Sequence, residues 1–268
     1  MNEFKIDDEN SISYNDNSWH LHRNGIAYEN SQSHLYKYYS LSEYSLDALE
    51  HNYFHLNNPL NFNDPFDCCN NLIVEKQKDA IDGLPTPFIN DIRNVGVSCF
   101  STNGMNPLMW GHYTNSYVGF VVKFKNNFHF KNDPGIKSFK LTSVVYSDNP
   151  RPANEKYPFA EDYQFMVKLK DWEYENEWRL IVNKNDNTLD KIFYTTESIE
   201  EVIIGYRSSW PYKRSTDQKL CEKLTNILTT KLKDIPTFTV GPHEKEFKLY
   251  KRRLLINPEF TITGITLK

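Results

Sequence analysis

No stretch of this 268-residue chain is apolar for long enough to cross a bilayer. Residues 1–10 are acidic and polar, where a secretory leader would be basic and then apolar, so no signal peptide is expected. Cysteine is scarce. Of Cys68, Cys69, Cys99 and Cys221, the adjacent pair cannot easily bond to each other, and no zinc-type spacing is present. A reduced, cytoplasmic protein is therefore expected. Internal repeats, a glycine-rich phosphate loop, a Gly-x-Ser-x-Gly elbow and a His-Glu-x-x-His helix are all missing, which removes the common nucleotide-binding, serine-hydrolase and zinc-protease classes. The formal net charge of -4 gives no global attraction for nucleic acid or an anionic membrane, although a local patch could still hold RNA or DNA.

What the chain has is rings. Aromatic residues make up 15% of it, enough to build much of a core. Residues 1–33 are rich in Asn, Ser, Asp and Glu and read as a polar N-terminal extension, with residues 34–268 as a single α+β domain. Strands are expected over 34–39, 53–56, 95–101, 118–124, 139–146, 191–195 and 201–205. Ser42 caps a helix ending near Asn52, and Asn106 with Pro107 starts another. Residues 70–94 read as helical with a break, 159–170 as a helix, 211–233 as the longest helix, and 237–240 with 247–255 as a hairpin-like pair. Irregular interleaving without βαβ spacing predicts a mixed, mostly antiparallel sheet with packed helices.

The most informative stretch is Trp172-Glu173-Tyr174-Glu175-Asn176-Glu177-Trp178-Arg179-Leu180-Ile181. Read as a strand it has an aromatic face and a charged face, since successive side chains alternate. Glu175 and Glu177 could then serve one bound group, with Arg179 keeping a carboxylate ionised; a solvated face with a surface ion pair is the ordinary alternative. The loop Phe62-Asn63-Asp64-Pro65-Phe66-Asp67 cannot be a regular element, and its Asn and Asp side chains would bond local backbone or a ligand. On the helix after Pro107, Met109, His112 and Tyr113 share a face, and His112 is the histidine singled out for a role. His20 and His22 at strand spacing lack a third metal ligand. Lys245, Lys248, Lys251, Arg252 and Arg253 form the one dense basic run, either an edge strand protected by charge or a phosphate contact.

In order along the chain, Leu35-Tyr36-Lys37-Tyr38, Phe62 to Asp67, Ser98-Cys99-Phe100-Ser101, Met109-Trp110-Gly111-His112-Tyr113 with Gly119-Phe120, Trp172 to Arg179 and Val202-Ile203-Ile204-Gly205 resemble the bacterial domain-of-unknown-function family 2971 over about residues 34 to 206. That resemblance implies an accessory or phage-defence protein. The element order, with a late Glu-x-Glu, also resembles the ADP-ribosyltransferase superfamily. This second resemblance implies a split-sheet architecture, NAD as substrate, a protein or nucleic-acid acceptor and no membrane partner. By position it implies Lys37 for the ribose or pyrophosphate, Ser101 or Tyr113 for the nicotinamide pocket, and Glu177, with Glu175 before it, for the cationic ribose. Lys37 stands where Arg or His is usual. Tyr36, Trp110 and Tyr113 could stack on the nicotinamide or adenine, and Lys37, Asn63, Asp64, His112, Glu175, Glu177 and Arg179 are expected to converge on one cleft. Two other classes stand beside this one. The first is a metal-dependent nuclease with Asp64, Asp67, Glu175 and Glu177 on Mg²⁺; the second is a non-catalytic sensor or binding module. Nothing in the sequence sets an oligomeric state.

Overall fold

The computed structural model describes residues 1–16, 18–28, 32–75, 94–185, 190–208 and 218–254. In chain order these form strands β1 (Asn2–Lys5), β2 (Asn10–Tyr14), β3 (Trp19–Arg23), β4 (Ile26–Ala27) and β5 (His34–Tyr39), and helix α1 (Glu43–His51). There follow β6 (Tyr53–His55), β7 (Val95–Ser101), α2 (Pro107–Tyr113), β8 (Phe120–Lys125), β9 (Ile136–Ser143), β10 (Val145–Tyr146) and α3 (Ala160–Met166). The remainder is β11 (Val167–Lys168), β12 (Glu177–Lys184), β13 (Lys191–Phe193), β14 (Ile199–Gly205), α4 (Gln218–Thr229), β15 (Thr237–Pro242) and β16 (Leu249–Arg253). The class is α+β, with a large mixed, mostly antiparallel sheet and few helices, as the pattern predicts.

Local chemistry sets the helix ends. Ser42 accepts a hydrogen bond from the Ser45 N–H at 3.2 Å, and Asn52 closes α1 in the left-handed conformation, which Asn tolerates. Asn106 accepts from the N–H groups of Leu108 and Met109, with Pro107 in the first turn of α2. In α4 the stripe Leu224, Ile227 and Leu228 is buried. The expected helical reading of 70–94 falls largely on residues outside those described, as does the start of the expected helix 211–233.

The chain divides into two compact units rather than one domain after an extension. The first comprises residues 1–32, 56–99 and 133–190; the second comprises 33–55, 100–132 and 191–268. In the first, the stretch read as a polar extension builds the antiparallel sheet β1-β2-β3-β4. It is attached through few residues. Ile6, Ile12 and Leu21 are buried in one core with Phe159, Tyr163, Phe165 and Ile181, and Phe4, Tyr14 and Trp19 pack against it. β7, β12 and β9 lie side by side, and β12 and β9 are antiparallel from Trp178↔Ser143 onward.

The second unit carries β16-β15-β14-β8-β5 in that order, with β14 and β15 parallel. Its core is the fully buried Phe54, ringed by Phe100, Phe124, Phe128 and Tyr194 at centroid distances of 4.5 to 5.1 Å. β5 meets the end of β7 at the pair Tyr36↔Ser101. The basic strand β16 pairs with β15 as expected; Lys251 meets Glu201 and Arg252 meets Glu244, Arg253 lies over the Phe238 ring, and Lys248 before the strand bonds Glu246.

Candidate functional site

The Trp-Glu-Tyr-Glu-Asn-Glu-Trp-Arg stretch is not one strand. Lys170–Glu175 is a 3-10 turn, Asn176 sits at φ 46°, and β12 starts only at Glu177. The left-handed residue breaks the alternation, so Glu173 and Glu175 are not on the strand face that carries Glu177 and Arg179. Nor is that face solvated. Arg179 is 0% exposed, Glu177 5% and Glu175 2%, and β12 is buried on both faces.

Three carboxylates and two cations meet here. Arg179 donates Nε–H to Glu177 Oε1 at 2.8 Å and Nη2–H to Glu177 Oε2 at 3.1 Å. It grips Asp67 with both terminal nitrogens, at 2.7 and 2.6 Å, and gives the remaining Nη1–H to the Phe165 carbonyl at 2.9 Å. All five guanidinium N–H groups therefore have an acceptor. The Phe62 ring covers the guanidinium, with its centroid 5.3 Å from Cζ. Lys168 joins the other side, donating to Glu175 at 2.5 Å and Glu177 at 3.0 Å while lying over the Trp172 ring. Asp67 thus ties the Asn-Asp-Pro loop to the motif on β12, and the formal charge of the five groups is one negative in excess.

The electrostatics follow from burial and pairing. Burial alone would raise the Glu177 carboxyl, but the charges of Arg179 and Lys168 and the Arg179 hydrogen bonds overcome it and hold the group down to about 2. Burial would likewise lower Lys168, yet the nearby carboxylates, Glu177 foremost, raise it above the ordinary lysine value. Both groups are ionised at neutral pH. Asp64 is buried too. One of its oxygens accepts the Phe66 N–H at 2.9 Å, and the other has no hydrogen-bond partner among the described residues. Asn63 is exposed. Lys168 also forms part of the wall of a cavity of about 420 Å³, together with Phe66, Asn71, Ser147 and Asn149.

Tyr36, Lys37, Ser101, Trp110, His112 and Tyr113 belong to the second unit. Tyr36 and Ser101 are cross-strand partners. Lys37 lies over the Phe100 ring, 5.0 Å from its centroid. The buried Ser101 hydroxyl accepts the Asn103 N–H at 3.0 Å. Trp110 is wholly buried between Tyr38 and Tyr117, so it offers no face for stacking; its indole N–H holds the Gly104 carbonyl at 3.0 Å. His112 is exposed and Tyr113 half-buried. The loop after Ser101 is pinned by rings, since Tyr38 also bonds the Asn103 carbonyl and Tyr117 the Pro107 carbonyl. Gly104 permits this: a Cβ there would stand 2.4 Å from the Tyr36 ring. Gly104→Ala is expected to turn Tyr36 aside and cost about 1–3 kcal/mol, as overpacking does. Thermal melting checks the cost, and an unchanged Tm would show that the ring yields freely.

Sequence reasoning missed Lys168 as the partner of both glutamates. Only tertiary folding brings it there, because α3 stops at Met166 instead of running to Lys170. The metal reading does not fit the donor set. Asp67, Glu175 and Glu177 already bond Lys168 or Arg179, and among the described residues no group of three or more His, Cys, Asp or Glu is placed to hold an ion. His22 Nε2 is engaged with the Ser13 hydroxyl at 2.7 Å.

Residues 109–180 match the model of a family described as "Protein of unknown function (DUF2971)". The matched segment runs from the Met-Trp-Gly-His-Tyr motif through Arg179 and does not reach the Leu-Tyr-Lys-Tyr or Asn-Asp-Pro motifs. No curated protein and no solved structure matches the chain. No helix among the described residues is long and apolar enough to cross a membrane.

Proposed function

We propose, for a chain that carries the DUF2971 pattern, an NAD-cleaving enzyme of ADP-ribosyltransferase type acting as a bacterial defence effector. The observation that carries this reading is the burial of the Glu-x-Glu pair and its pairing with Lys168. Glu175 and Glu177 share one ammonium, Glu177 is held ionised, and the cluster keeps one negative charge in excess in a buried setting. Cleavage of the nicotinamide–ribose bond sends the bonding electron pair to the nicotinamide nitrogen and leaves a cation on the ribose. Fixed negative charge stabilises that cation strongly where water is excluded, and one such electrostatic term is worth roughly 3–4 kcal/mol. Water or a nucleophile of a protein or nucleic-acid acceptor then adds to the ribose carbon and loses its proton. Lys37 would hold the ribose or pyrophosphate. Ser101 would shape the nicotinamide pocket, with Tyr36 beside it across the strands.

A second reading has its own observation. Every N–H of Arg179 is matched, which is what a structural keystone requires, and a non-catalytic sensor or binding module would need no more. NAD labelled in the nicotinamide separates the two. The wild-type chain should release label, in EDTA as well as without it, and should be toxic when expressed in cells. Lys37→Ala should lower kcat/KM about 10- to 100-fold, the loss of one charge-assisted hydrogen bond, with melting unchanged. No release by the wild type would leave the binding module; activity abolished by EDTA would revive the nuclease.

A further inference from the structure

The dense basic run of the sequence lies on and just before β16, the last strand at one end of its sheet. Residues 243–253 carry five cations against two acids, three positive charges in excess, in a chain whose formal charge is -4. Glu201 of β14 answers Lys251, so two remain in excess. The hairpin's own acids are held loosely. Lys248–Glu246 and Arg252–Glu244 are pairs between exposed side chains, which contribute little, so a phosphate can take the place of either carboxylate. Lys245 and Arg253 are exposed. Charge of this kind protects a sheet edge from pairing. Edge protection does not call for rings, and rings are here too. Phe247, in the turn between β15 and β16, is fully exposed, and Tyr250 on β16 is exposed as well. The turn is tied by its own backbone: the His243 N–H bonds the Lys248 carbonyl at 2.9 Å, and the Lys248 N–H bonds the Glu246 carbonyl at 2.8 Å. Tyr250 is held by two neighbours, Arg252 with its Cζ 5.1 Å from the ring centroid and the His243 ring at 5.8 Å.

We infer that the β15–β16 hairpin binds single-stranded nucleic acid, with its cations on the phosphates and its exposed rings on the bases. The positive excess complements a polyanion, and stacking on a ring needs a base that is not already paired and stacked in a duplex. Tyr250 and Arg252 project from one face of β16, about 7 Å apart, as alternate strand residues do. A base on the ring and a phosphate on the guanidinium then belong to one strand lying along that face. A lipid surface fits less well. The cations continue along β16 to Arg253 instead of gathering around Phe247, and the acids Glu244 and Glu246 stand close to that ring in the chain. DNA and RNA serve alike, because both present these phosphates and base faces. None of these residues is among those assigned to NAD cleavage, and the inference does not depend on that reading.

Fluorescence anisotropy of a labelled, mixed-sequence DNA single strand of about 15 nucleotides tests this on the full chain. At about 50 mM salt the strand should bind with a Kd of roughly 10⁻⁵ M or below. Log K should fall against log salt with a slope of about -3, the value for four phosphates of a single strand, one each for Lys245, Lys248, Arg252 and Arg253. Phe247→Ala should weaken binding about tenfold, the loss of one stacked base. Its salt slope should hold, and so should its Tm, because the ring is fully exposed. Lys245→Ala combined with Lys248→Ala should halve the slope to about -1.5. An RNA of the same sequence should bind within about threefold, and the duplex about tenfold more weakly. A Kd above roughly 10⁻⁴ M, binding unaltered by Phe247→Ala, a duplex bound as tightly as the single strand, or a strand bound only as RNA or only as DNA would each overturn the inference. Binding to phosphatidylserine vesicles that Phe247→Ala abolishes, with the strand unbound, would assign the hairpin to a membrane surface and overturn it too.

Discussion

Arg179→Met is expected to destabilise the first unit by about 3–5 kcal/mol, the cost of removing one partner from a buried charge network. The substitution keeps most of the volume, so a cavity is not the cause. The cause is what remains. Asp67 loses both of its short bonds, and Glu177 loses both of its bonds to the guanidinium. Lys168, 3.9 Å from Asp67 and 3.0 Å from Glu177, would be left facing three carboxylates out of water. Urea denaturation followed by tryptophan fluorescence measures the loss, since Trp172 lies over Lys168 and Trp178 adjoins Glu177 in β12. The triple variant Asp67→Leu, Glu177→Leu, Arg179→Met should recover most of the stability. It removes two acids and one base, leaving Lys168 and Glu175 as a neutral pair at 2.5 Å, and well-packed apolar groups often match a buried ion network. If the triple variant were no more stable than Arg179→Met, the loss would come from packing around β12 rather than from charge.

These five residues also show where the sequence is legible and where it is not. Helix caps depend on neighbours two or three positions away, and Ser42, Asn106 and Pro107 could be read directly. The expected pairing near the C-terminus, β15 with β16, likewise joins adjacent stretches. Asp67 is 112 positions from Arg179, so nothing local distinguishes this arginine from one on a solvated face. The same distance hid the burial of Glu175 and Glu177, whose alternation with aromatic residues imitates an amphipathic strand until Asn176 turns left-handed. The N-terminal stretch was misread for a related reason. Mean composition over residues 1–33 is polar, but attachment to a core needs only a few apolar side chains, here Phe4, Ile12, Tyr14, Trp19 and Leu21 on the sheet and Ile6 just after β1. The two distinctive motifs, Asn-Asp-Pro and Glu-Asn-Glu, were visible as motifs; that a bidentate Arg179–Asp67 contact joins them was not.

The second large effect concerns acid. Glu177→Gln is nearly isosteric, and as a surface pair it would be worth little. Buried, it should cost about 3 kcal/mol at pH 7, for a reason that pH can expose. In the folded chain Glu177 is held at about 2, against an ordinary value of 4.5, so its charged form is the stabilising one. A folded value below the unfolded one contributes stability that is complete above pH 4.5 and is lost as pH falls toward 2; a gap of that size corresponds to roughly 3 kcal/mol. Below pH 2 the wild-type side chain is a neutral acid, close to glutamine in shape and charge. Unfolding free energies of wild type and Glu177→Gln should therefore differ by about 3 kcal/mol above pH 4.5 and converge near pH 2. A difference that stayed constant from pH 7 to pH 2 would mean that Glu177 acts through shape, and that Arg179 and Lys168 do not hold it ionised.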